Sequence, residues 1–338
     1  MSGTEITIYD IAKALKISPS TVSRALNDSK VVNEKTRKKV IDYAEKMGYQ
    51  ANTFASNLRN QETKTIGVIV PKLDSNFIAK CLAGAEKVAA AKGYNLLISQ
   101  SFEEKEKEIA IAKTMFKKRI DGLLVSLALD SDNAEHFKPF IDKGIPVLFF
   151  DRTPNGIDCP IYAIDNYTTS ILATQHLIKQ HCKNIAHLTV ETSCAVYVDR
   201  QRGFNSALLN NDKVSGSIIY VDKLEFEAGI YAAEIISKQK HKPDGIFAAN
   251  DQLALGCIVG LKKAGFDIPN DIAIVGFNND LACKMTSPEL TSVDYPAFDL
   301  GNIMTNHLVE HILGNSNIYQ TNTTLLKTKL VIRQSSLR

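Results

Sequence analysis

The chain has 338 residues, 40 Lys and Arg against 37 Asp and Glu, six cysteines and no tryptophan. That length exceeds one ordinary hydrophobic core, so two or three domains are expected, and a mean hydropathy of −0.10 without a bilayer-length apolar run excludes the membrane-embedded classes. The net charge of +3 hides a polarity: the first 60 residues carry +4 and the remainder −1, so the cations are concentrated at one end, where a polyanion would have to be neutralised.

The stretch Ile8 to Asn27 reads as two short helices. Ile11, Ala12 and Leu15 share one face of the first, which starts after the cap candidate Thr7. The run breaks at Lys16-Ile17-Ser18, and Ser18 then caps a second helix with Pro19 in the slot suited to proline. Val22, Ala25 and Leu26 form its inner side, leaving Ser20, Thr21, Ser23, Arg24 and Asn27 outside. Helices of this length are unstable alone, so a third, from Asn33 or Glu34 to Gly48 with Val40, Ile41, Ala44 and Met47 inward, must close the core. The result is a small all-α helix-turn-helix head over residues 1–50, whose second helix presents groups able to pair with base edges and phosphates. A helical protein-interaction domain with a solvated basic face is the other reading of this pattern.

Residues 51–63 follow as a polar hinge or linker with Phe54, Ala55 and Leu58 at helical spacing, too short to be a helix by themselves. From Lys64 short apolar runs alternate with longer amphipathic ones. Strands are expected at 65–71, 94–99, 121–127 and 145–150, with helices near 77–92, 104–118 and 133–143, and a second set of strands at 184–190, 217–221, 244–249 and 271–277. Alternation of this kind predicts an α/β architecture of two lobes with parallel sheets and a ligand in the crevice beyond the carboxyl ends of the strands. Candidate ligand contacts are the residues just past those ends: Asp74, Phe77, Ser101, Asp151, Arg200, Leu224, Asn250 and Asn278. Carboxylates, amides and a guanidinium pair with adjacent hydroxyls, and Phe77 offers a platform for a ring face. Short polar residues at strand ends also serve routinely as caps.

Nothing in the chain nominates catalysis. There is no nucleophile elbow, no phosphate-binding glycine loop and no dinucleotide fingerprint. His176 and His181 are five apart, wrong for a shared helical face, and the cysteines form no Cys-x-x-Cys pair, so neither a metal nor a cofactor is expected and the thiols are free and buried. A cytoplasmic place, at the nucleoid, follows from the lack of a signal-like start.

The run TIYDIAKALKISPSTVSRALN, then KTRKKVIDYAEKMGYQAN and ASNLR, resembles the DNA-binding head of the LacI/GalR family of transcriptional repressors over about 60 residues. A looser likeness, carried by IGVIVP, RIDGLLV, IPVLFFDR, RQRGF, DGIFAANDQLALG, IAIVGFNND and SPELTSV, extends over nearly all of 64–333 and is similar to the periplasmic-binding-protein-like effector domain of those repressors. The resemblance implies lobe crossings near 163, 292 and 325, giving one lobe of 64–163 plus 292–325 and another of 164–291 plus 326–338. It implies a homodimer on near-palindromic double-stranded operator DNA. Pro19, Ser20, Ser23 and Arg24 would face bases, and Thr7, Ile8, Tyr9, Asn27, Val31, Asn33, Thr36, Tyr49 and Asn52 would hold phosphates or position the hinge, with Leu58 wedged into the minor groove. A small-molecule effector, a sugar, sugar acid or sugar phosphate, would control operator affinity. Asn278 departs from the aspartate common at its position, and Leu224 from a stacking aromatic. A cytoplasmic solute-binding protein without a DNA role and an α/β enzyme acting on a sugar are the alternatives from other classes.

Overall fold

The computed structural model describes residues 6–26, 31–49, 62–131, 133–154, 157–209 and 211–338. The chain divides into two compact units, Met1–Glu62 and Thr63–Arg338. The expected hinge positions Asn52 and Leu58, and Asn27, lie outside the described residues.

Among its described residues the first unit has three helices, α1 (Ile8–Leu15), α2 (Pro19–Leu26) and α3 (Glu34–Lys46). α1 begins with a reciprocal cap: the Thr7 hydroxyl oxygen accepts from the Asp10 N–H at 3.4 Å while the Asp10 carboxylate accepts from the Thr7 N–H at 2.9 Å. Ser18 accepts from the Thr21 N–H at 3.1 Å at the head of α2, and Asn33 from the Thr36 N–H at 2.8 Å at the head of α3. Ile11, Ala12, Val22, Ala25, Val40 and Ala44 close the core. Ile41 and Met47, expected inside, are exposed. A helix turns 100° per residue, so the stripe that buries Val40 and Ala44 carries its neighbours Ile41 and Met47 off to the side.

The second unit contains two six-stranded sheets. The first holds β1 (Thr65–Val70), β2 (Asn95–Gln100), β3 (Gly122–Val125), β4 (Val147–Phe150), β5 (Ile161–Ile164) and β11 (Thr323–Leu326), in the order β11-β5-β4-β3-β1-β2. The second holds β6 (Asn184–Thr189), β7 (Ser215–Tyr220), β8 (Gly245–Ala248), β9 (Ala273–Phe277), β10 (Thr291–Asp294) and β12 (Lys329–Val331), in the order β12-β10-β9-β8-β6-β7. Among the described residues the pairings are parallel, as expected, with β10 and β12 antiparallel at one edge. β5, β10 and β11 were not foreseen as strands: each has four residues, and Thr291–Asp294 and Thr323–Leu326 carry too few apolar side chains to read as a buried run.

The helices are α4 (Asn76–Ala91), α5 (Lys105–Lys117), α6 (Lys138–Asp142), α7 (Asn166–Lys179), α8 (Ala195–Leu209), α9 (Phe226–Lys238), α10 (Asp251–Lys263) and α11 (Ala297–Ile312). The helix expected over 133–143 is a 3₁₀ turn at Glu135–Phe137 running into the five-residue α6. α11 packs on α4 of the first lobe and α7 on α8 of the second, so each lobe receives a helix from chain arriving out of the other. The crossing expected near 292 falls after Asp294, because Ser292 and Val293 are paired in register with Gly276 and Phe277 of the second sheet. Among the described residues no helix is long and apolar enough to cross a membrane.

Candidate DNA-contacting face and interlobe site

In the head, the i, i+4 spacing of Ser20 and Arg24 puts both on the solvent side of α2, opposite Val22 and Ala25, with Ser23 partly covered beside them. The Ser20 hydroxyl lies 2.8 Å from that of Ser18, which fixes its direction at the first turn. Tyr9 is 68% and Val31 78% exposed, large side chains left in water by a unit with few apolar residues to spare. Ile8 and Tyr49 are half-buried against the head core, and Tyr49 donates its N–H to the Ala44 carbonyl at 2.9 Å. Thr7 and Asn33 are occupied as caps, and Thr36 supplies the N–H that Asn33 accepts. Pro19 opens α2, where a missing N–H costs nothing.

In the second unit the strand order of both lobes brings the ends of β1 to β4 and of β6 to β9 to one crevice. Asp151 follows β4 in a left-handed conformation, φ 57°, its N–H held by the Tyr162 carbonyl at 3.0 Å. Arg200 comes from the second lobe, on α8. Its Nε donates to the Asn166 side-chain oxygen at 2.9 Å and one Nη to the Ala249 carbonyl at 2.5 Å, and its guanidinium lies 3.5 Å from the centroid of the Phe277 ring. Burial pulls the Arg200 guanidinium below its usual range, opposed by Tyr197 and Asp151. Burial likewise raises the Asp151 carboxyl, opposed by Arg152 and Arg200. The Tyr295 hydroxyl is buried beside Asp151 without a completed hydrogen bond, and its ring meets Phe77 at a centroid distance of 4.4 Å. Phe77 therefore backs Tyr295 instead of lying open as a platform; it is 6% exposed.

Asn250 is the N-cap of α10, accepting from the Leu253 N–H and donating to the Leu224 carbonyl, both at 2.9 Å. Leu224 thus contributes backbone to the site. Asn278 follows β9 with φ 113° and anchors to the Val293 carbonyl at 2.9 Å. Ser101, just past β2, is fully buried with its hydroxyl unpartnered, as are Ser126 past β3 and Thr189 at the end of β6. Asp74 is exposed in the loop after β1.

Several residues of this site were not singled out from the sequence. Arg152, next to Asp151, reaches both lobes: it binds Glu103 at 2.5 Å and donates to the Tyr197 hydroxyl of α8 at 3.1 Å. Burial opposes its charge, but Tyr197 and Glu103 hold it firmly protonated. The signal available was the acid-base doublet Asp151-Arg152 straight after an all-apolar strand, where two charges must each find a partner. On the outer edge Lys72 bridges to Glu225 across the lobes at 2.5 Å.

Chemically, this is a set of hydrogen-bonding groups and buried hydroxyls around one acid-base pair. Among the described residues no cluster of His, Cys, Asp and Glu could hold a metal ion, and the six thiols are unpaired. Burial pushes Cys159 up to about 11 and Cys257 up to about 12, leaving both as inert neutral thiols at neutral pH.

Residues 7–52 match the model of bacterial regulatory proteins of the lacI family, and residues 174–336 that of a periplasmic binding protein-like domain. Catabolite control protein A of Priestia megaterium is 31% identical over 98% of this chain and 99% of its own. The crystal structure of the lac repressor dimer bound to operator and the anti-inducer ONPF superposes with a TM-score of 0.86 at 23% identity, over 99% of this chain and 100% of that one. A LacI family transcriptional regulator from Enterococcus faecalis V583, solved with bound ribose, gives a TM-score of 0.72 at 28% identity over 81% of this chain and 98% of that one.

Proposed function

The chain belongs to the lacI family of bacterial transcription regulators, and from that premise we propose that it binds a near-palindromic operator as a homodimer and that a small carbohydrate-like effector, held between its two lobes, sets its operator affinity. The head would dock with α2 in the major groove, Ser20, Ser23 and Arg24 toward base edges, because these side chains occupy the solvent face of a helix whose other side is sealed in the core. Thr7, Asn33 and Thr36 sit at the amino ends of α1 and α3, where unsatisfied N–H groups favour phosphate.

The observation that carries the effector half is the Asp151–Arg200 pair. Asp151 follows β4 of the first lobe and Arg200 stands on α8 of the second, each within reach of the other's charge, and the buried Tyr295 hydroxyl beside Asp151 lacks a completed hydrogen bond. Unpaired hydroxyls are costly in a dry interior, and a polyol is the kind of molecule that would satisfy them while its adjacent hydroxyls engage the carboxylate and the guanidinium. Ligand would then stabilise one arrangement of the lobes, and the shift would be felt at the dimer's hinges. A coupling of about 1–3 kcal/mol changes operator occupancy roughly five- to 150-fold. The relatives are regulators, which supports a regulatory reading.

Selection of bound duplexes from a random DNA pool, followed by titration of the winning site with monosaccharides, tests both halves. A near-palindromic winner with a flexible central pyrimidine-purine step, released or tightened by one sugar, is the expected result. Absence of any enriched sequence at moderate salt, with sugar still bound, would leave a solute-binding protein.

A further inference from the structure

We propose that the cleft is built for an uncharged effector and that Glu103 is the residue that sets this selectivity, by cancelling the charge of Arg152. The inference rests on the interlobe effector reading above and narrows its ligand class. Two guanidiniums are buried at the site, which by itself would suit a sugar phosphate or a sugar acid. The one with both ends of its fork taken is Arg152: it is 8% exposed and is held by the Glu103 carboxylate at 2.5 Å on one side and by the Tyr197 hydroxyl at 3.1 Å on the other. Arg200 is 3% exposed, donates Nε and one Nη to Asn166 and the Ala249 carbonyl, and lies 3.5 Å from the centroid of the Phe277 ring.

An anionic ligand entering here would have to displace the Glu103 carboxylate or lie beside it, and like charges in a poorly solvated site repel strongly. A neutral polyol meets no such penalty. The position of Glu103 is itself fixed: it lies in the loop after β2 with a left-handed backbone, φ 65°, and its carboxylate also accepts from the Leu129 N–H at 2.9 Å. That second bond means a glutamine at 103 can keep the loop in place through its side-chain oxygen while removing the charge.

The test compares ribose with ribose 5-phosphate and glucose with glucose 6-phosphate, titrated by calorimetry into the full-length protein, into Glu103→Gln and into Arg152→Met. Wild type should bind the better neutral sugar at least about tenfold more tightly than its phosphate. Glu103→Gln, which leaves a guanidinium uncompensated, should shrink that ratio by about tenfold, and Arg152→Met, which leaves a carboxylate uncompensated, should widen it. Opposite signs from two neighbouring positions cannot come from general loosening of the fold. A wild type that prefers the phosphorylated sugar overturns the inference, as do variants that weaken neutral and charged sugars by the same factor. If the selected operator is bound but no sugar of either series is, the carbohydrate reading itself fails, and the selectivity claim falls with it.

Discussion

The two lobes are the same frame written twice, and their differences show where function has been placed. Each sheet runs in equivalent order, with β1 to β5 matched by β6 to β10 and the two C-terminal strands at corresponding edges. In both, the fourth strand of the set ends in a left-handed turn, at Asp151 in one lobe and at Asn278 and Asn279 in the other. The first lobe puts charge at that turn and ties it to Glu103; the second puts amides there and keeps its carboxylates, Asp251 and Asp280, inside. The frame is therefore tolerant at its strand ends and strict in its helix packing.

That strictness can be broken most severely at Gly301. It crosses α4 so closely that an added Cβ would lie 1.9 Å from the Cys81 carbonyl oxygen, and its counterpart in the second lobe, at the same offset in α7, is Ser170. Gly301→Ser should cost on the order of 3–5 kcal/mol in urea unfolding, or prevent folding, because backbone must move to admit the side chain. Ser170→Ala removes a buried hydroxyl without a partner and should be neutral or stabilising by up to about 1 kcal/mol. Equal effects at the two positions would mean that α11 lies no closer to α4 than α7 does to α8.

A second contrast is titration. Burial raises the Asp251 carboxyl to about 7 even though the Asp280 N–H and the Ser292 hydroxyl bond to it, at 2.8 and 2.6 Å. Its folded value lies above its unfolded one, so the folded state holds the proton longer. The associated stability is complete below about pH 4 and is lost as pH rises through 7. His187 runs the other way: burial takes it down to about 4, so its contribution is present above about pH 6.5 and lost as pH falls through 4. Between pH 5 and 8 wild type should lose on the order of 2–4 kcal/mol relative to Asp251→Asn, whose curve should be flatter. Parallel curves would mean that Asp251 is ionised in the folded state throughout.

At the cleft, Arg200→Lys keeps the charge and gives up the planar fork that engages Asn166 and Ala249 together. Effector affinity should fall by about thirtyfold, or about 2 kcal/mol, beyond a loss of about 1–3 kcal/mol in unfolding stability from the buried partners left short. An unaltered affinity would take Arg200 out of the site.

How much of this was legible in sequence follows the same divide between local and assembled features. The head is local: Thr7, Ser18 and Asn33 cap helices whose starts they announce, and the buried sides of α1 and α2 lie within a few residues of those caps. Ile41 and Met47 misled because apolar character alone does not say which side of a helix is covered. The strand ends were readable as places in the chain: Asp151 follows β4 and Asn250 caps α10 just past β8. Their partners were not, because Glu103 and Arg152 are 49 residues apart, and only the sheet order β2-β1-β3-β4 makes them neighbours. β10 and β11 failed as predictions for a related reason: a short strand completed by distant neighbours needs little apolar character of its own.

The smallest effect distinguishes what holds the lobes together. Lys72 and Glu225 form the outer bridge, but their side chains are 34% and 40% exposed, so water and salt screen the pair. The Arg152–Tyr197 bond spans the same gap from a fully buried position. If closure depends on the buried contact, Lys72→Met should change unfolding stability by less than about 1 kcal/mol. Its effect on effector affinity should be no more than about fivefold and should disappear at high salt. Tyr197→Phe removes one hydroxyl, leaves Arg152 short of a partner and should weaken the effector more than Lys72→Met does at every salt concentration. The reverse ranking would move control of closure from the floor of the cleft to its rim, and the charge arrangement around Arg152 would then serve the first lobe alone.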